Sequence, residues 1–449
     1  MAPVSGFGQL KDTDVTHRYT RRSFTSLLLS TPFWAAAAAK GAASREASIT
    51  DFGAVAADAT VNTKSIQAAI DHLAASGGGT VVVPQGVFVS GALFFKPKVN
   101  LHLENGAVLK CSTDVTANFP PQRTRIEGHF ENNFNPALIN AKGCDGFHIS
   151  GDGTLDGAGR PIWDLFWKLR AASSDPRNFA NIGIPRARMA LLESSRGVTV
   201  EGVTFKDSQF WNLHLYKCDG VVVRQARFQV PDDYRQAPST DGIDVDSCRN
   251  VTVDGCYFSV TDDCIALKGS KGPNALQDKD SPPVEHIHVR NCTYKRGGGV
   301  LTLGSEATIV RDVTVENCKV IGEVGVATVK LRPDTPQEYE DISFHDITLD
   351  NSRASIVSIR PWSQYANLQG EAPPHSVVRN FSMAGITGHS GSFGTIRPNP
   401  GQTTISDVTF KGFDVTLERP VLDASGVTNL KFEHVIVNGK PMSAPVPQD

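Results

Sequence analysis

Methionine is scarce in this chain, at 4 of 449 residues, whereas glycine reaches 40. That balance argues against a helical bundle and for a turn-rich, strand-rich protein. Neither sign of charge dominates, since the formal net charge is only −3. Without a basic excess, nucleic acid is not an expected partner. A long apolar run is also missing. The stretch at 27–39, which follows Thr20-Arg21-Arg22-Ser23-Phe24, falls short of the roughly 20 residues a membrane span needs. Paired arginines, a modest apolar segment and small residues at its end read instead as a twin-arginine export signal over 1–43. The mature protein is then expected to be free of the membrane, folded before export, and periplasmic or extracellular in a bacterium. No linker divides the chain beyond residue 43. One domain over 44–440, a tail at 441–449 and a monomer are therefore expected.

Past Asp51-Phe52-Gly53-Ala54, apolar Ile66, Ala69, Ile70 and Leu73 recur at helical spacing. Asn62 or Thr63 serves as N-cap and Gly77-Gly78-Gly79 as the stop. This is the only strong amphipathic helix the sequence offers. Short strands come next at Thr80-Val81-Val82-Val83, Leu93-Phe94-Phe95 and Val99-Asn100-Leu101-His102-Leu103. Then a unit recurs, made of a turn, a β-alternating run and a second short strand. Its copies start at Arg196, Asp219, Arg249, Glu285, Arg311 and Glu340, spaced 23, 30, 36, 26 and 29 residues apart. Such an uneven period with strand-only content marks an all-β solenoid, a parallel β-helix with the N-terminal helix capping its open end.

Eight cysteines in an exported chain would ordinarily signal disulfides, but their register suggests otherwise. Cys144, Cys218 and Cys248 each precede the same strand of the unit, and Cys256, Cys292 and Cys318 share a later position. Equivalent positions stack one strand spacing apart. Columns of buried free thiols are the favoured reading, and disulfides the alternative, since that spacing suits their Cα separation. Loops are expected at 365–374 and 400–402.

One stretch organises the rest. Laying Ile243-Asp244-Val245 on Ile265-Ala266-Leu267 places Asp241 on Asp263, an offset of 22 residues, with Asp262 alongside. A single such aspartate is ordinary turn chemistry. Three gathered together raise one another's proton affinity, and folds seldom gather them without a use. The strand after each turn carries apolar residues at its first and third positions, so the second and fourth are expected to face solvent. They form two columns. One runs His214, Asp244, Ala266, Thr302, Lys330, Ser358, and the other Tyr216, Asp246, Lys268, Gly304, Arg332, Arg360.

Asp241, Asp262 and Asp263 thus stand at one edge of a face that also carries His214, Lys268, Lys330, Arg332 and Arg360. Glycosidic cleavage needs one protonated carboxyl for the leaving oxygen and one ionised carboxylate to activate water or attack directly. Repulsion within the trio helps keep one member protonated. Cations beside it suit an anionic sugar chain, although neutralising Asp244 and Asp246 is their plainer use.

The motifs Ser239-Thr240-Asp241-Gly242-Ile243-Asp244, Thr261-Asp262-Asp263-Cys264-Ile265-Ala266-Leu267-Lys268, Gly304-Ser305-Glu306 and Lys330-Leu331-Arg332 are together similar to glycoside hydrolase family 28, the polygalacturonases and rhamnogalacturonan hydrolases. The resemblance covers roughly 47–440. It implies a single-stranded right-handed parallel β-helix of the pectin-lyase-like kind, and inverting hydrolysis of pectic material without metal or other cofactor. Carried over by motif, it makes Asp262 the general acid and Asp241 and Asp263 the holders of the water. Lys330 and Arg332 stand where the family has Arg-x-Lys to bind the sugar carboxylate. The substrate implied is an acidic plant-cell-wall polysaccharide or oligosaccharide. Two departures point away from simple polygalacturonase activity: Gly299 stands where those enzymes carry a His, and Ser239 where they have Asn. Two other readings remain. One is a Ca²⁺-dependent pectate-lyase-like enzyme, with the trio as oxygen ligands and Lys330 or Arg332 taking the proton. The other is a non-catalytic carbohydrate-binding β-helix, motivated by Gly299. Trp163, Trp167 and Trp362 are expected to shape the ends of a groove, by packing or by stacking on sugars.

Overall fold

The computed structural model describes residues 45–350 and 353–443. The expected export signal and the residues after 443 lie outside these. The repeat read from the sequence is the physical repeat of the fold. Arg196, Asp219, Arg249, Glu285, Arg311 and Glu340 are successive partners in one parallel ladder. The next residue in each of five copies, Asn250, His286, Asp312, Asp341 and the later Asn380, holds φ between 53° and 59°. That left-handed turn favours Asn and Asp, which explains why the copies begin with Arg-Asn, Arg-Asp or Glu-Asp.

Inward-facing Val221, Val251, Ile287, Val313 and Ile342 are register partners and are buried. Phe205, Phe228, Phe258 and Tyr294 stack face to face with centroids 4.8, 5.1 and 5.0 Å apart. Each buried ring contributes roughly 1.5–3 kcal/mol relative to exposure. No coil buries its apolar side alone, so stacking makes the parallel β-helix. The helix Thr63–Ala75 buries Ile66, Ala69, Ile70 and Leu73 against the first coils and covers the N-terminal end of the core. All eight cysteines are buried free thiols. Cys218 donates its backbone N–H to Cys248 Sγ at 3.2 Å, and Thr293 and Lys319 bond to the carbonyls of Cys256 and Cys292, as stacked columns require.

Four expectations need correction. A second amphipathic helix, Arg160–Ala172, starts with Pro161 in its first turn and buries Ile162, Trp163 and Phe166. It lies in a long insertion between coils, whereas the sequence offers only the N-terminal helix as strongly amphipathic. Another insertion forms an antiparallel hairpin, Gln122–Ile126 with His129–Phe134. Pro441 and Met442, expected in the tail, pair antiparallel with Ile436 and Val435. The fourth correction concerns register. Leu301 and Thr302 pair with Ala327 and Thr328, and Lys330 pairs with Arg360. A slip of two residues preserves the inside–outside alternation, so sequence pattern alone does not detect it. The columns therefore end Thr302, Thr328, Ser358 and Gly304, Lys330, Arg360, while Arg332 lies beyond the strand end at Leu331.

Nor do the columns face solvent from His214 to Thr302, although Arg360 at their end does. His214, Asp244, Asp246 and Thr302 are fully buried, because the hairpin and the inserted loops cover this face of the solenoid. Arg125 of the hairpin bonds Asp246 at 3.1 Å. Arg188 donates to His214 Nδ1 at 2.8 Å and to the hairpin's Arg125 carbonyl at 2.7 Å.

Candidate active site

Asp241 stands just before the strand Ile243–Asp246, and Asp262 and Asp263 just before the neighbouring strand Ile265–Lys268. The ladder continues back through the turn, where Gly242 donates to the Asp263 carbonyl at 2.9 Å. That register brings one oxygen of each carboxylate within 4.8 Å of the others. Asp241 and Asp263 are buried, and Asp262 is half-exposed.

The three are held differently. Both oxygens of Asp263 are engaged, one by the Thr302 hydroxyl at 2.8 Å and the other by Lys330 Nζ at 2.6 Å. Asp262 accepts the Asp263 backbone N–H at 3.0 Å. Burial, then the charge of Asp263, raises its pKa. Burial and the nearby Asp262 push Asp241 well above the carboxylate range. Lys268 Nζ sits 3.6 Å from oxygens of Asp241, Asp244 and Glu306. Burial opposes the charge on Lys268, but Asp241, Glu306 and Asp244 outweigh it and hold the amine protonated. Burial opposes the charge on Glu306 too, and Lys268, Lys271 and Arg332 nonetheless keep that carboxylate ionised. Behind them Asp244 is fully buried, its oxygens without a hydrogen-bond donor, and burial pushes its pKa up to about 8. Acid and base forms of carboxylate thus coexist within one site, the condition for paired acid–base chemistry.

Gly299 is a matter of space. A Cβ there would lie 2.8 Å from Thr302 Oγ1 and 3.0 Å from Thr328 Oγ1. The two threonines occupy the room a larger side chain would need, and one of them holds Asp263.

The trio opens into a cavity of about 400 Å³. Lys268 and Lys330 line it beside the aspartates, each over a tryptophan ring: Lys268 at 4.7 Å from the Trp211 centroid and Lys330 at 4.9 Å from that of Trp362. Trp167 lines the wall, whereas Trp163 is buried and donates to the Ser208 carbonyl. Three residues expected at the site do not line the cavity. His214 is buried between Arg188 and Asp246, and burial lowers its pKa to about 4, so it is neutral. Arg332 is buried against Asp334, and Arg360 is exposed outside the cavity. Reading the sequence missed Glu306, although it lies in the Gly304-Ser305-Glu306 motif, because its use as the partner of Lys268 depends on three separate coils. Tyr365 and Glu127, also in the lining, come from insertions with no repeat signal, and Trp211 from the turn just before the strand Leu213–Tyr216.

The sequence model of glycosyl hydrolases family 28 matches residues 80–435. A probable polygalacturonase of Vitis vinifera is 25% identical over 362 residues, covering 75% of this chain and 70% of the relative. Among solved structures, the exopolygalacturonase of Thermotoga maritima superposes with a TM-score of 0.69 at 24% identity, over 88% of this chain and 92% of that one. The polygalacturonase of Erwinia carotovora ssp. carotovora gives 0.68 at 20% identity, over 84% and 95%. At these identities the structural matches speak to the fold.

Proposed function

This chain belongs to glycosyl hydrolases family 28, and from that premise we propose that it hydrolyses glycosidic bonds in galacturonate-containing pectic polysaccharide or oligosaccharide. The observation that carries the reading is the trio of carboxylates gathered within 4.8 Å beside two ammonium groups. Asp262, the least buried of the three and with a raised pKa, delivers its proton to the leaving oxygen. Asp263, paired with Lys330, and Asp241 position the attacking water. Lys268 and Lys330 supply the positive field in which an anionic sugar is held. Their ammonium groups also offset the trio's charge without a metal ion, which supports metal-independent hydrolysis over Ca²⁺-assisted elimination. The residues before 44 are proposed as the export signal. Arg21→Lys with Arg22→Lys should leave the protein in the cytoplasmic fraction, and unchanged export would refute that.

Family membership supports inversion of the anomeric centre. One feature favours a second course. Retaining carboxylate pairs stand closer together than inverting pairs, and in this trio one oxygen of each carboxylate lies within 4.8 Å of the others. NMR of the first product decides between them. A newly released reducing end of opposite anomeric configuration to the bond cut supports the water mechanism. Initial release of the same anomer assigns direct attack by a carboxylate.

A further inference from the structure

Arg332 is held in a way that indicates its use. Its Nε and Nη2 both bond Asp334 at 2.8 Å, and the guanidinium donates to the carbonyls of Gln364 at 3.4 Å and Tyr365 at 3.1 Å. Asp334 also accepts the Asn367 N–H at 2.6 Å. The loop 362–369 is thereby fastened to the end of its coil. From that anchorage it reaches over the cavity: the Tyr365 hydroxyl donates to the Phe179 carbonyl at 2.6 Å, and Gln364 Nε2 to the Arg177 carbonyl at 3.4 Å.

Residues 177 and 179 precede the strand Ala190–Glu193, whereas 362–369 follow Ser355–Pro361. Six ladder steps separate those strands, roughly 29 Å along the axis at the usual strand spacing. The strands that carry Asp241, Asp262 and Asp263 lie between them. The two loops therefore meet above the site. The hairpin tip closes in as well, with Gly128 so near Glu306 that a Cβ would come within 3.0 Å of it. A polymer lying along this face of the solenoid would have to pass through these contacts. What remains is a cavity of about 400 Å³, near the size that takes one small ligand.

We propose that the joined loops close one end of the site, so that the protein binds and removes units at chain ends instead of cutting within the polymer. Arg332 is then a positioning residue for the bridge. The inference rests on the hydrolase reading for its substrate class.

The test uses the purified chain with homogalacturonan and rhamnogalacturonan fractions of graded length, and has two arms. In the binding arm, with Asp262→Asn protein, the number of molecules bound per gram of polymer should halve when chain length doubles. A number independent of length overturns the closure, whether or not the native protein cleaves. In the turnover arm, products should be of one or two units from the earliest times, with viscosity falling slowly per reducing end formed. An early spread of product sizes with a steep fall in viscosity also overturns it. Arg332→Ala and the pair Gln364→Ala with Tyr365→Phe should shift cleavage towards internal bonds, a change in product pattern that a loss of stability alone does not produce. End-counted binding without cleavage by the native protein upholds the closure and refutes the hydrolase reading. Failure to bind either polymer refutes both.

Discussion

Asp262, Asp263 and Asp244 are chemically identical side chains made different by their neighbours. Asp262→Asn removes the proposed proton donor without changing shape, so kcat should fall about 10²–10⁴-fold with little change in KM, as steady-state kinetics will show. Lys330 touches both Asp263, at 2.6 Å, and the cavity wall at Trp362. Lys330→Gln removes one of the two ammonium groups that line the cavity, so KM for an anionic sugar chain should rise, and an unchanged KM in steady-state kinetics would separate Lys330 from substrate binding. Asp244 makes a stability prediction. In the folded chain it keeps its proton up to about pH 8, whereas an unfolded aspartate releases it near pH 3.9. Between those values the folded state binds more protons, so the contribution of Asp244 to stability declines as pH rises. Asp244→Asn removes this dependence. Relative to the native protein, the variant should gain stability from about pH 5 to about pH 8 in urea denaturation.

At the level of elements, what was legible in the sequence was whatever repeats. The ladder starting at Arg196, the capping helix over Ile66 to Leu73, and the meeting of Asp241 with Asp263 all come from local spacing, and the fold reproduces them. The insertions were not legible. The hairpin and the helix Arg160–Ala172 have no partner copy elsewhere in the chain, and they decide which outward residues are covered. His214 and Asp246 were read as surface groups for this reason, although their role is to seat the hairpin through Arg188 and Arg125. Arg332 was misplaced for a different reason: a two-residue slip changes neither period nor polarity. The hairpin seat gives a prediction of its own. Arg125→Ala leaves Asp246 buried without its main counter-ion, which costs about 3–5 kcal/mol. A loss below ~1 kcal/mol in denaturant titration would contradict the buried pairing.

As a whole molecule, the protein is a stack held by side chains that meet only across coils, with no covalent links among its eight thiols. Reductant should leave its melting temperature unchanged, and all eight thiols should react with a thiol reagent only after denaturation. A melting temperature lowered by reductant would show that a disulfide forms. Because stacking sets the register, the site exists only in the assembled solenoid, where turns 22 residues apart in sequence place their carboxylates together.

The most direct test of the central claim is incubation of the purified mature protein with homogalacturonan and, separately, rhamnogalacturonan. Reducing ends and unsaturated-uronide absorbance are followed together, with and without EDTA. Reducing ends should appear on at least one polymer, without unsaturated product and at the same rate in EDTA. Unsaturated product that vanishes with EDTA would instead assign a metal-dependent elimination to the aspartate trio and contradict the account.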